Sequence, residues 1–290
     1  MTDVQCVVAS GDILGEVPLW SPKDQLLYWI DVRRPALHAV DPSDGSVRTR
    51  PLPEAVGSFC LRQAGGFLLA LKSGLHTYDI EAERLDRVLD PEPSLPGNRL
   101  NDGNCARQGR FWVGSMNDGD RIPSGSLYAV DRGWSCRAVL NGLTIPNSLA
   151  WSPDGRRMYF SDTPTLKIIA YDFDVEDGVP SNPQVFADLA GHPGRPDGST
   201  VDCDGCLWNA EVSGSRVVRY TPAGGIDRIV QLPVSGVTSC AFGGSQMKTL
   251  FITTARQRLT EEQLAQQPLA GSLFGVDVGV SGIPETPFRG

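Results

Sequence analysis

Leu19-Trp20-Ser21-Pro22, a turn, Leu26-Leu27-Tyr28-Trp29-Ile30-Asp31, a second turn, and Ala36-Leu37-His38-Ala39-Val40-Asp41 are the residues on which the fold is decided. The block closes with Asp44-Gly45 and Val47-Arg48-Thr49-Arg50. Short runs of aliphatic, aromatic and β-branched residues, broken by Asp, Gly and Pro, read as four antiparallel strands joined by tight turns. The same grammar returns at Leu149-Ala150-Trp151-Ser152-Pro153-Asp154-Gly155. It continues through Met158-Tyr159-Phe160-Ser161-Asp162, Ile168-Ile169-Ala170-Tyr171-Asp172 and Gln184-Val185-Phe186-Ala187. A four-strand unit repeating at this length is one blade of a β-propeller.

Weaker copies begin at Phe59-Cys60-Leu61, Asn104-Cys105-Ala106, Thr200-Val201-Asp202 and Cys240-Ala241-Phe242. With Trp20, Cys60, Cys105, Trp151, Val201 and Ala241 as one register, the steps are 40, 45, 46, 50 and 40 residues. This spacing predicts an all-β chain, residues 1–290, folded as a single six-bladed β-propeller domain with four antiparallel strands per blade. Two stacked β-sandwiches would not produce so even a period. The last copy lacks a fourth strand, and Val4-Gln5-Cys6-Val7-Val8-Ala9 is a spare β-rich run. It is predicted to complete that blade and close the ring, removing two exposed strand edges at once. Residues 259–267 read as a short helical excursion.

Bulk properties narrow the function. The formal charge of −8 and the lack of any run of basic residues longer than a pair such as Arg33-Arg34 argue against nucleic acid and anionic membrane as partners. No apolar run approaches the roughly 18 residues of a membrane span. The N-terminus shows no signal-peptide pattern, and seven cysteines, an odd number, suit reduced thiols. The expectation is a cytoplasmic protein, a monomer or weak homo-oligomer, acting on a small molecule.

Four residues before each register point lie Glu16, Val56, Asn101, Asn147, Asp197 and Val237. In a propeller these positions converge on the axis. Two carboxylates brought together there repel unless a cation sits between them. The economical reading is one divalent metal held by Glu16, Asn147 and Asp197, with positions left open for water and substrate. All-oxygen ligation favours Ca²⁺, Mg²⁺ or Mn²⁺, with Zn²⁺ also possible. The alternative is that these polar groups merely line a water-filled tunnel.

The motifs around them are Glu16-Val17-Pro18, Asn98-Arg99-Leu100-Asn101-Asp102-Gly103, Pro146-Asn147-Ser148 and Arg195-Pro196-Asp197-Gly198. In order, at successive blades, they resemble the gluconolactonase, regucalcin (senescence marker protein) and luciferin-regenerating-enzyme family, over residues 11 to the C-terminus. The likeness is greatest to bacterial aldonolactonases such as xylonolactonase. The resemblance implies Glu16, Asn147 and Asp197 as metal ligands and Arg99 and Asn101 as the substrate-contacting pair. Where some members carry a glutamate after a Gly-Thr-Met segment, this chain reads Gly114-Ser115-Met116-Asn117-Asp118, so Asp118 is the candidate stand-in.

The implied reaction is hydrolysis of a sugar lactone to its aldonic acid by metal-activated water, with Asp197 as both ligand and proton acceptor. Competing readings are an esterase or phosphotriesterase on the same metal, or a calcium-binding propeller without catalysis. Cys203-Asp204-Gly205-Cys206 brackets an Asp-Gly turn and reads as a hairpin, not a zinc or redox site. His38 and His76 share a place in their blades' third strands and read as structural, while His192 lies in the loop before Asp197. Trp20, Trp29, Trp112, Trp151 and Trp208 read as packing between blades.

Overall fold

The computed structural model describes residues 3–290. The first sheet contains β2 (Gly15–Ser21), β3 (Leu26–Asp31), β4 (Ala36–Val40) and β5 (Val47–Pro51), after β1 (Gln5–Val8). The second contains β6 (Val56–Leu61), β7 (Phe67–Leu71), β8 (Gly74–Asp79) and β9 (Arg84–Leu89). The third is β10 (Asn98–Cys105), β11 (Phe111–Asn117), β12 (Gly125–Val130) and β13 (Cys136–Leu143). The fourth is β14 (Pro146–Trp151), β15 (Arg157–Asp162), β16 (Lys167–Asp174) and β17 (Val179–Asp188). The fifth is β18 (Arg195–Val201), β19 (Leu207–Val212), β20 (Arg216–Tyr220) and β21 (Ile226–Gln231). The sixth joins β22 (Val237–Gly243), β23 (Thr249–Thr254) and β24 (Leu273–Asp277) to β1.

Six four-stranded antiparallel sheets in this order make a six-bladed β-propeller. The expected use of the N-terminal run is met: β1 pairs antiparallel with β24 through Gln5–Gly275 and Cys6–Phe274. The helical excursion is α1 (Glu261–Gln266), started by a capping box in which Thr260 and Gln263 exchange hydrogen bonds.

The outermost strand of each sheet is the least buried, as composition requires. β7, Phe-Leu-Leu-Ala-Leu, is buried throughout, as a strand covered on both faces must be. β5, Val-Arg-Thr-Arg-Pro, is exposed at every position. Charges on such outer strands discourage pairing with another chain.

The chain divides into two compact units, Met1–Pro53 with Ala187–Pro284, and Glu54–Phe186 with Glu285–Gly290. The first unit holds the first, fifth and sixth sheets. Its core includes Trp208, Phe242, Leu250, Ile252 and Phe274. The second unit holds the other three sheets and the C-terminal tail. Phe288 of that tail is fully buried against Phe111 and Trp134, and its backbone bonds Leu61 and Gln63. All seven cysteines are unpaired. Among the described residues no helix is long and apolar enough to cross a membrane.

Candidate functional site

The innermost strand of every sheet carries a register shift near its start. The shifts fall between Glu16 and Leu19, Val56 and Ser58, Leu100 and Gly103, Asn147 and Ala150, Pro196 and Ser199, and Val237 and Ser239. A bulge turns side chains out of the ladder and is a common device beside active sites. Glu16, Asn101, Asn147 and Asp197 therefore lie at the bulges, near the starts of the innermost strands. Val17 and Ser148, which follow Glu16 and Asn147, have φ of 48° and 63°. A left-handed backbone at a β-branched valine costs roughly 1–3 kcal/mol, strain that such sites characteristically retain.

In the second unit one hydrogen-bonded relay joins four of the predicted residues. Arg99 donates from Nε to Asp118 Oδ1 at 2.8 Å and from Nη1 to Asn101 Oδ1 at 2.8 Å. Asn101 Nδ2 donates to the Pro146 carbonyl at 2.9 Å and to Asn147 Oδ1 at 3.3 Å. Asn147 Nδ2 donates to Thr163 Oγ1 at 2.8 Å. Thr163 thereby fixes the Asn147 amide so that its oxygen, the atom a hard cation takes, faces Asn101. Arg99 is only 4% exposed, so its pair with Asp118 is not a surface salt bridge.

The rim that carries this relay is itself braced. The Asp118 amide donates to the Gly97 carbonyl at 3.1 Å. Glu92 accepts from Asn98 Nδ2, Ser115 Oγ and Tyr128 OH at 2.9, 2.6 and 2.8 Å. Neither Glu92 nor Thr163 was singled out from sequence. Glu92 lies before β10 and Thr163 after β15, each bonded to side chains well separated from it in sequence, and no local motif marks such a role.

The two candidate carboxylates, Glu16 and Asp197, lie in the first unit. Asp197 is 7% exposed on β18, and its carbonyl accepts from Asn209 Nδ2 at 3.0 Å. A Cβ on the adjacent Gly198 would fall 2.1 Å from Ser239 Oγ on β22, so only glycine permits this approach. Glu16 follows Gly15, whose carbonyl accepts from Thr238 Oγ1 at 2.5 Å. His192 is tethered through Nδ1 to Glu211 Oε1 at 3.3 Å, and Arg216 Nε holds the second oxygen of that buried carboxylate at 2.8 Å. Among the described residues no three His, Cys, Asp or Glu side chains cluster as a metal nest. An amide oxygen, such as that of Asn147, is a further donor that a hard cation accepts.

Residues 14–256 match the model of the SMP-30/Gluconolactonase/LRE-like region. The chain belongs to that family. A 6-deoxy-6-sulfogluconolactonase of Pseudomonas putida is 40% identical over 288 residues, covering 99% of each chain. An L-arabinolactonase of Azospirillum brasilense is 34% identical, covering 96% of this chain and 92% of that one. The crystal structure of a calcium-binding protein, regucalcin, from Agrobacterium tumefaciens superposes with a TM-score of 0.95 at 29% identity, over 99% and 98% of the two chains.

Proposed function

We propose that this protein hydrolyses a sugar lactone to its aldonic acid, with Glu16, Asn147 and Asp197 holding one divalent cation. Ca²⁺, Mg²⁺, Mn²⁺ and Zn²⁺ all accept two carboxylates and an amide oxygen. The observation that carries the reading is the relay Asp118–Arg99–Asn101–Asn147–Thr163, which ties the candidate substrate residues to an amide oxygen oriented for a cation. The lactonase relatives support the reaction class.

When bound, a divalent cation supplies Lewis acidity toward the lactone carbonyl and makes water a stronger acid. The chain's own residues do the rest. Asp197 accepts the water proton on a carboxylate oxygen as the water oxygen bonds the lactone carbonyl carbon, and returns it to the ring oxygen as the acyl C–O bond breaks. The Arg99 guanidinium, held by Asp118, and the Asn101 amide orient the ring hydroxyls, so that the carbonyl meets water in a reactive geometry. The seven unpaired thiols support a cytoplasmic setting.

Acid release from an aldonolactone, followed in a pH-stat with and without chelator, tests the proposal directly. Release should require metal and exceed the spontaneous rate. Asp197→Asn should lower kcat by about 100-fold or more while metal affinity changes less. No metal-dependent release would remove the lactonase reading. It would leave the second reading, a calcium-binding propeller without catalysis, which the description of the Agrobacterium protein favours. That outcome would still show calorimetric Ca²⁺ binding sensitive to Glu16→Gln.

A further inference from the structure

The β7–β8 turn, the proline-rich connection from β9 to β10 and the residues before β6 enclose a cavity of about 350 Å³ within the second unit. Its charged lining groups are Glu54, Lys72, Arg87, Asp90, Glu92 and Arg99. Five of the six are engaged in internal bonds. Glu54 accepts from the amide and hydroxyl of Ser73, and Arg87 Nη2 donates to Asp90 at 3.0 Å. Glu92 takes the three donors described above, and Arg99 is bound by Asp118 and Asn101. Lys72 is exposed and has no ion pair among the described residues. Leu95, 40% exposed between Pro93 and Pro96, adds an apolar wall suited to the C–H face of a carbon chain.

Arg99 lines this cavity and also belongs to the relay that is to orient the lactone ring. We propose that the cavity is a subsite for the exocyclic end of the lactone, and that Lys72 there recognises an anionic substituent such as a sulfonate, phosphate or carboxylate. This deepens, and rests on, the lactonase reading of the same site. An ammonium with three donors and no counter-ion gains about twice as much from an anionic acceptor as from a neutral hydroxyl. The neighbouring carboxylates aim lone pairs at their own donors, so Lys72 is the charge left to meet a ligand.

The test compares glucono-δ-lactone with the same lactone bearing a 6-sulfonate, in wild type, Lys72→Gln and Lys72→Arg. Wild type should prefer the sulfonated lactone. Lys72→Gln should lower the sulfonated-to-neutral ratio of kcat/KM about tenfold or more, mainly through KM, and Lys72→Arg should restore most of it. In parallel, binding of gluconate 6-phosphate is measured by calorimetry on the same three proteins, with no turnover required. If no lactone is hydrolysed but this probe binds about tenfold more weakly to Lys72→Gln, the lactonase reading falls and the subsite stands. An unchanged ratio, or probe binding indifferent to Lys72, overturns the subsite.

Discussion

The two sheets that deliver carboxylates to the proposed site are built differently behind the first strand from a sheet that delivers an amide. In the first and fifth sheets the second-strand tryptophan is anchored by a buried acid. Trp29 Nε1 donates to Asp12 at 2.9 Å, and Trp208 Nε1 donates to Asp202 at 2.8 Å. In the third sheet, which carries Asn101, the counterpart of Trp208 is Trp112, fully buried but with no hydrogen-bond partner for its Nε1 among the described residues. It packs instead with Trp151 and Phe173, ring centroids 6.0 and 5.6 Å away. The position shared by Trp208 and Trp112 is thus filled either within a polar network or within an aromatic cluster, and apolar size alone satisfies the blade.

The two polar networks also differ from each other. In the fifth sheet, Arg219 on β20 bonds Asp202, Asp204 and Asp227 at 2.8, 2.9 and 2.7 Å. Burial opposes its charge, but the bonds to Asp227 and Asp202 outweigh burial and hold the guanidinium more firmly protonated. In the first sheet the group beside the tryptophan is His38 on β4, stacked on Trp29, with Nε2 3.4 Å from Asp12 Oδ1. Here burial dominates: it raises Asp12 to about 6 and lowers His38 to about 4. A permanent cation fixes one network in its charged form, whereas the other changes charge with pH.

Breaking the permanent pairing should have the largest effect. Arg219→Met leaves Asp202 buried without its cation and should destabilise the fold by ~3–5 kcal/mol in denaturant unfolding. A loss below ~1 kcal/mol would show that the three carboxylates find other partners.

The first sheet should reveal itself through pH. A folded state that raises the Asp12 pKa from 3.8 to about 6 binds that proton more tightly, so Asp12 favours folding below 3.8 and disfavours it above about 6. His38, lowered from 6.5 to about 4, contributes its stability fully above 6.5 and loses it as pH falls through 4. The two effects oppose each other in the intact protein. Between pH 6.5 and 4, Asp12→Asn should lose about 3 kcal/mol relative to wild type, and His38→Asn should gain a similar amount. Parallel stability–pH curves for all three proteins would refute the assignment.

In the amide-bearing sheets the decisive anchor lies at the proposed ligand, Asn147. Thr163→Val releases the Asn147 amide and should weaken Mn²⁺ or Ca²⁺ binding about tenfold by calorimetry, the usual effect of removing a group that orients a ligand. Unaltered affinity would mean that Asn101 alone holds the amide in place. The smallest effect separates the tryptophans. Trp208→Phe should cost about 1 kcal/mol more than Trp112→Phe, because only the former gives up a hydrogen bond. Equal costs would show that the bond to Asp202 contributes nothing beyond packing.

Much of the architecture was legible because a blade is a local object. The runs around Trp20 and Trp151 announce strands and turns within about 40 residues, and their recurrence announces how many sheets there are. The candidate site was legible only as residue types at a common register. Glu16, Asn101, Asn147 and Asp197 could be picked out, and Arg99 with Asp118 by resemblance. The bulges that re-aim them could not, since Val17 is a valine and nothing in its neighbours demands a φ of 48°. Nor could Thr163, Glu92 or Lys72, whose importance comes from side chains up to 36 positions away or from a cavity that several loops enclose.

The sequence by itself therefore determined the repeat, the strand count, the N-terminal completion of the sixth sheet and the chemical types near the start of each first strand. These depend on hydrophobic period and turn chemistry, which act over a few residues. The tertiary structure alone decided which amide oxygen is presented, which charges are engaged and which one is left over. Hydrogen-bond partners and desolvation are set by whatever folding brings alongside, and a linear chain carries no record of that.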